Sequence, residues 1–141
     1  VPALSPHPRA RWLVDYSLQR RATLEALQRG QSTSTEVCDA HPYLLRAARF
    51  HGEASARRCP VCGHTALRLL RYVFSDELGQ YSGRIRSAIE VVRMSGDYGH
   101  LKVYVVEVCQ DCAWNHLLAS YVVGDGTPRR PPRRQPTVED E

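Results

Sequence analysis

Four of the five cysteines stand in two C-x-x-C pairs, Cys59-Pro60-Val61-Cys62 and Cys109-Gln110-Asp111-Cys112. Two intervening residues let one tight turn aim both sulfurs at a single point, and two such turns make a closed tetrahedral thiolate site of the kind that suits zinc. Pro60 pre-sets the first turn, and Gly63 lets the backbone double back beneath it. A site built this way ties together segments 46 residues apart, the gap between Cys62 and Cys109. It would also stabilise a small domain strongly, since structural zinc contributes on the order of 10–16 kcal/mol in metal-folded peptides.

The sequence flanking the pairs indicates what they sit on. Residues 66–74 (ALRLLRYVF) alternate as a strand does, residues 101–108 (LKVYVVEV) are rich in β-branched residues, and residues 113–123 (AWNHLLASYVV) read as a third strand. Both pairs therefore adjoin strands, which is the arrangement of a zinc ribbon: two knuckles at one end of a small antiparallel sheet. Residues 83–94 carry Ile85, Ile89, Val92 and Arg93 at near-helical spacing and predict a helix inserted between the first two strands. Residues 76–83 read as loop.

Upstream, the pattern is helical. Residues 12–29 place Leu13, Tyr16, Leu24 and Leu27 on one stripe, and Gly30 is positioned to end the helix. A short turn over residues 36–39 follows, with Ser34 or Thr35 as its cap. Pro42 opens another helix that runs to about residue 51, where Gly52 stops it. Residues 53–58 (EASARR) read as a polar link. Residues 1–10, with three prolines, read as a flexible lead-in, and residues 127–141, rich in Pro and Arg, as a disordered tail. The expected organisation is thus a helical segment over 11–58 and a zinc-ribbon domain over 59–126 with its insertion at about 76–99.

Charge narrows the function classes only slightly. The net charge is +4, and of 19 basic residues 18 are arginine. Residues 1–58 hold nine arginines against five acids, residues 59–126 six basic against seven acidic, and the tail four against three. The basic excess lies in the helical segment, which permits an acidic partner without demanding one. The longest strongly apolar stretch, 101–108, is broken by Lys102 and Glu107, so no membrane span is expected. The N-terminal residues hold no apolar run suited to a secretory signal, although Val1 leaves the true start open. The expected compartment is the reducing cytoplasm, where paired cysteines favour metal over disulfides.

Other chemistry for the cysteines is weighed against this. Redox C-x-x-C motifs usually open a helix, where the dipole lowers the thiol pKa, whereas these pairs adjoin strands. His64 and His116 lie close enough in sequence to replace one cysteine as ligand, although a histidine beside a knuckle more often bonds outward. Cys38 reads as a small buried hydrophobe. Trp114 either packs against the ribbon or offers a stacking platform. Tyr72, Tyr104 and Tyr121 fall one on each strand, where cross-strand packing is the plainer reading and base stacking the sharper one. Arg129, Arg130, Arg133 and Arg134 of the tail read as a solubilising stretch. No nucleophile triad or phosphate-cradling loop is legible.

The chain also resembles an uncharacterised family of small actinobacterial proteins, a domain of unknown function. The stretches carrying the resemblance are VDYSLQRRATL (14–24), EVCDAHPYLLRAARFHG (36–52), CPVC (59–62) and VYVVEVCQDCAWNHLLASYVVG (103–124). The resemblance implies a cytoplasmic protein with a zinc ribbon, and it implies no activity.

The resulting expectation is an α+β protein, with an N-terminal helical segment packed on a three-stranded antiparallel zinc ribbon. Cys59, Cys62, Cys109 and Cys112 would hold a structural Zn²⁺. Its expected function is non-catalytic: a binding module or adaptor for a large cytoplasmic assembly, with transcription or translation machinery leading. Arg20, Arg21, Arg46, Arg49, Arg57, Arg58 and Trp114 are the candidate contacts. The alternatives are direct nucleic-acid binding through sheet aromatics and basic helices, and a thiol-redox or zinc-dependent enzyme.

Overall fold

The computed structural model describes residues 10–127; the expected flexible N-terminus and nearly all of the Pro/Arg-rich tail lie outside the described residues. The fold is α+β, as the sequence pattern predicts. Its elements, in chain order, are β1 (Arg11–Asp15), α1 (Ser17–Gln28), α2 (Ser34–Val37), α3 (Pro42–His51), β2 (Glu53–Arg58), β3 (Ala66–Phe74), a 3₁₀ turn (Asp76–Tyr81), β4 (Arg84–Ile85), α4 (Ala88–Ser95), β5 (Leu101–Val108) and β6 (Asn115–Val123).

The sheet has six strands rather than three. Its path runs β1-β6-β5-β3-β2, with β4 paired to β3, and every pairing is antiparallel. The three predicted strands form its centre. Both further edge strands come from the segment read as helical and linking. Residues 12–15 belong to β1, not to a helix, and α1 starts only after Tyr16. The apolar stripe misled because Trp12, Leu13 and Val14 are exposed on an edge strand instead of continuing the α1 face. The polar stretch 53–58 is β2, an almost wholly exposed edge with an irregular register, so it lacks the apolar alternation that marks a strand.

Two smaller corrections have the same local character. Thr33, not Ser34 or Thr35, caps α2, accepting from the Glu36 N–H. The inserted helix starts at Ala88, because Ile85 pairs with Tyr72 as part of β4. Its true start is written in the sequence as Ser87-x-x-Glu90, a capping box in which each side chain accepts from the other residue's backbone N–H. The α3 boundaries match expectation, and the His41 side chain accepts from the Tyr43 N–H at its start.

Alternation along the strands sends side chains to both faces of the sheet. On one face, Leu69, Val73, Val103, Val105 and Tyr121 pack with Val91 of α4 and Leu78 of the 3₁₀ turn. On the other, Leu70 and Val108 pack with Ala48 of α3. A third cluster, around Trp114, Leu67, Cys59 and Cys109, lies at one end of the sheet and takes in Leu24 of α1 and Val37 and Cys38 at the end of α2. Glu53 ties β2 to the rest: its carboxylate pairs with buried Arg71 and accepts from the Ala88 N–H at the start of α4.

Candidate metal centre

Both C-x-x-C pairs are hairpin turns. The first joins β2 to β3 and the second joins β5 to β6, so the sheet brings both to one end. The two turns are built alike. Gly63 N–H donates to Cys59 O and Ala113 N–H donates to Cys109 O, each at 3.0 Å. Each turn is closed by a second backbone bond, Cys59 N to Thr65 O at 2.9 Å and Cys109 N to Trp114 O at 2.8 Å. The residue after each second cysteine is left-handed, with φ of +67° at Gly63 and +72° at Ala113. Backbone N–H groups point at the leading sulfurs: Val61 N lies 3.4 Å from Cys59 Sγ, and Cys112 N lies 3.5 Å from Cys109 Sγ.

The four sulfurs of Cys59, Cys62, Cys109 and Cys112 lie within 4.8 Å of one another. The Cys59–Cys112 and Cys62–Cys109 separations are 3.6 and 3.7 Å. A tetrahedron of zinc–sulfur bonds of about 2.3 Å has edges of about 3.8 Å, so the donor set fits such an ion in number, chemistry and spacing. The four cysteines thus form a cluster able to hold a metal ion.

The thiols differ in readiness. Burial pushes Cys59 up. Burial also pushes Cys112 up, reinforced by the neighbouring thiols of Cys38, Cys59 and Cys109. At Cys109 burial acts upward too, but the Thr65 hydroxyl and the N–H groups of Cys112 and Asp111 favour its thiolate and bring it down to about 7. Metal uptake near neutral pH would therefore displace protons from the cluster.

The histidines stay outside the four-sulfur set. His64 lies with Cys62 and Asp111 at the exposed rim, its Nδ1 3.7 Å from Asp111. His116 stacks on Trp114 at 5.8 Å, and its Nδ1 bonds the Leu117 carbonyl. Cys38 is half-buried beside the cluster, with its Sγ 3.4 Å from that of Cys112. Sequence reasoning missed that proximity, and nothing local signals a contact across 74 residues.

The candidate contact residues separate clearly. Trp114 is wholly buried and donates through Nε1 to Glu107 at 2.7 Å, so it is no stacking platform. Arg20 is committed to the same carboxylate, with Nε 3.1 and 3.2 Å from its two oxygens. Glu107 itself has no exposure. This Arg20–Glu107–Trp114 network joins α1, β5 and the second knuckle. Arg21 and Arg57 line a cleft of about 440 Å³ beside it, shared with the acids Asp15 and Glu25. Arg58 bonds the carbonyls of Gly63 and His64 and so braces the first knuckle. Arg46 and Arg49 are exposed on α3. The three strand tyrosines form no exposed row: Tyr121 is fully buried, while Tyr72 and Tyr104 pair across β3 and β5, half-buried.

Fold and site together define an α+β protein with a zinc-ribbon-like cysteine cluster. The chain belongs to a family of unknown function, DUF5318, whose model matches residues 8–137. It is similar to the uncharacterized proteins Mb0050 of Mycobacterium bovis and Rv0049 of Mycobacterium tuberculosis, each 48% identical over 120 residues, or 85% of this chain and 88% of theirs. No solved structure matches it. Among the described residues, no helix is long and apolar enough to cross a membrane.

Proposed function

We propose that the cysteine cluster is a structural zinc centre, and that the protein is a non-catalytic zinc-ribbon module that docks on a large cytoplasmic assembly. The observation that carries this reading is the convergence of four sulfurs within 4.8 Å of one another, two of their separations being 3.6 and 3.7 Å. Four thiolates fill the coordination sphere of zinc and leave no open position for a substrate or a reactive water. Metal analysis of the purified protein tests this half: about one zinc per chain is expected, and an oxygen-ligand metal or none would refute it.

The docking half is supported by the outer face of α3. Tyr43 and Phe50 are 72% and 66% exposed. Arg46 lies over the Tyr43 ring at 5.9 Å, and Arg49 over the Phe50 ring at 5.4 Å. Gln110 of the second knuckle shares a cleft of about 280 Å³ with Leu45, Arg46, Arg49 and Phe50. A basic and aromatic face of this kind suits an acidic partner. Transcription or translation machinery leads by analogy with the common use of zinc ribbons.

The same arginine–aromatic pairs favour direct nucleic-acid binding as the second reading. Affinity capture from native cytoplasm, with and without nuclease, separates the two. A defined assembly that survives nuclease and is lost in the Arg46→Glu/Arg49→Glu variant supports the adaptor. Loss on nuclease treatment, with binding that weakens steeply as salt rises, moves nucleic acid ahead. Capture that is indifferent to the variant removes α3 as the contact face.

A further inference from the structure

The segment between α2 and α3 is fastened to the second knuckle at three points. Ala40 N donates to Ala113 O at 3.0 Å, Asn115 Nδ2 donates to Asp39 Oδ1 at 3.0 Å, and Cys38 Sγ lies 3.4 Å from Cys112 Sγ. The site therefore brings a fifth sulfur against one of its four ligands. The four sulfurs that all lie within 4.8 Å of one another are those of Cys59, Cys62, Cys109 and Cys112, so in a four-thiolate site Cys38 is the cysteine the metal does not hold.

Exposure selects where an oxidant can reach. Cys59 and Cys109 are 3% and 0% exposed, while Cys62 and Cys112 are half-buried. Of those two, Cys112 is the one with the non-ligand thiol beside it. A disulfide bond is about 2.05 Å long, so the two sulfurs need to close by only about 1.4 Å.

We infer that Cys38 is the resolving thiol of the metal centre: when a hydroperoxide oxidises Cys112, Cys38 captures that sulfur as a Cys38–Cys112 disulfide, and the site opens. The inference rests on the zinc reading above. In the first step the Cys112 thiolate attacks one peroxide oxygen. The O–O bond breaks, the other oxygen leaves as alcohol or water after taking a proton, and Cys112 becomes a sulfenic acid. In the second step the Cys38 sulfur attacks the Cys112 sulfur, the S–S bond forms, and the sulfenic oxygen leaves as water with the Cys38 proton. Two electrons pass from the two sulfurs to the peroxide. Cys59, Cys62 and Cys109 alone would then be left to hold the metal, an incomplete ligand set from which it would be released.

The test uses the full chain loaded with zinc and treated with hydrogen peroxide. Metal content is measured first, released zinc is followed with a chromogenic chelator, and disulfides are mapped by peptide mass spectrometry. The expected result is loss of the bound zinc together with a Cys38–Cys112 link. Cys38→Ser should begin with the wild-type zinc content, release it more slowly under the same dose, and accumulate over-oxidised Cys112. A Cys109–Cys112 or Cys59–Cys62 link, or zinc release from Cys38→Ser at the wild-type rate, would overturn the inference. A chain that carries no zinc before peroxide fails the metal reading itself, and this inference with it. The wild-type map decides the pairing even if Cys38→Ser does not fold.

Discussion

Glu107 is the least conspicuous residue in the sequence for the work it does in the structure. Within LKVYVVEV it reads as the polar member of a strand, yet it is fully buried and holds both Arg20 and Trp114. Nothing local announces a partner 87 positions away. The side chains of Arg20 and Glu107 are 15% and 1% exposed, so removing one leaves a charge without water or counter-ion. Glu107→Leu should destabilise the fold by about 3–5 kcal/mol in denaturant unfolding, and adding Arg20→Met should recover only part of that loss, because the buried Trp114 Nε1–H still lacks its acceptor. The four clustered cysteines were legible for the opposite reason. Their spacing is a local signal whose meaning does not depend on the rest of the fold. Gly63 was legible on the same ground, and an added Cβ there meets nothing within 4 Å. The cost of Gly63→Ala is therefore conformational alone, about 1–2 kcal/mol for an L-residue at positive φ. Ala113 bears that cost already at the matching position, so Ala113→Gly should be neutral or stabilising when the two metal-loaded variants are compared by thermal unfolding.

Elements were legible in proportion to what they bury. The three central strands have alternating or continuous apolar sequence because helices cover both faces of the sheet. β1 and β2 lie at the edges, bury little, and so left a helical stripe in one case and a polar stretch in the other. For α4 the periodicity located the helix, and the capping box fixed its start. Ser87→Ala removes the side chain that accepts from the Glu90 N–H, and should cost about 1 kcal/mol. Glu90 adds a pH dependence. The Ser87 backbone N–H, with Arg86 assisting, holds its carboxyl below the ordinary glutamate value of 4.5. A carboxylate with a depressed folded-state pKa contributes stability above the unfolded value and loses it as pH falls through the folded one. Acid titration of stability should therefore show a decline starting near pH 4.5 that is smaller in Glu90→Gln.

At the scale of the whole molecule, the core around Val103 and Tyr121 is distinct from the cluster around Trp114 at the metal end. Stripping the metal with a chelator should thus loosen one end first. In a Trp12→Phe background, which removes the 68% exposed indole, Trp114 fluorescence should shift to the red while the sheet signal in circular dichroism persists. The topology also bears on synthesis. The first knuckle is the turn of the β2–β3 hairpin, and its partner hairpin is β5–β6. Between Cys62 and Cys109 lie 46 residues. At about 5–20 residues per second, roughly 2–9 seconds separate the two pairs on the ribosome. During that interval the first pair stands as a two-thiol half-site that must hold, release or be shielded from metal until the second hairpin emerges to complete the tetrahedron.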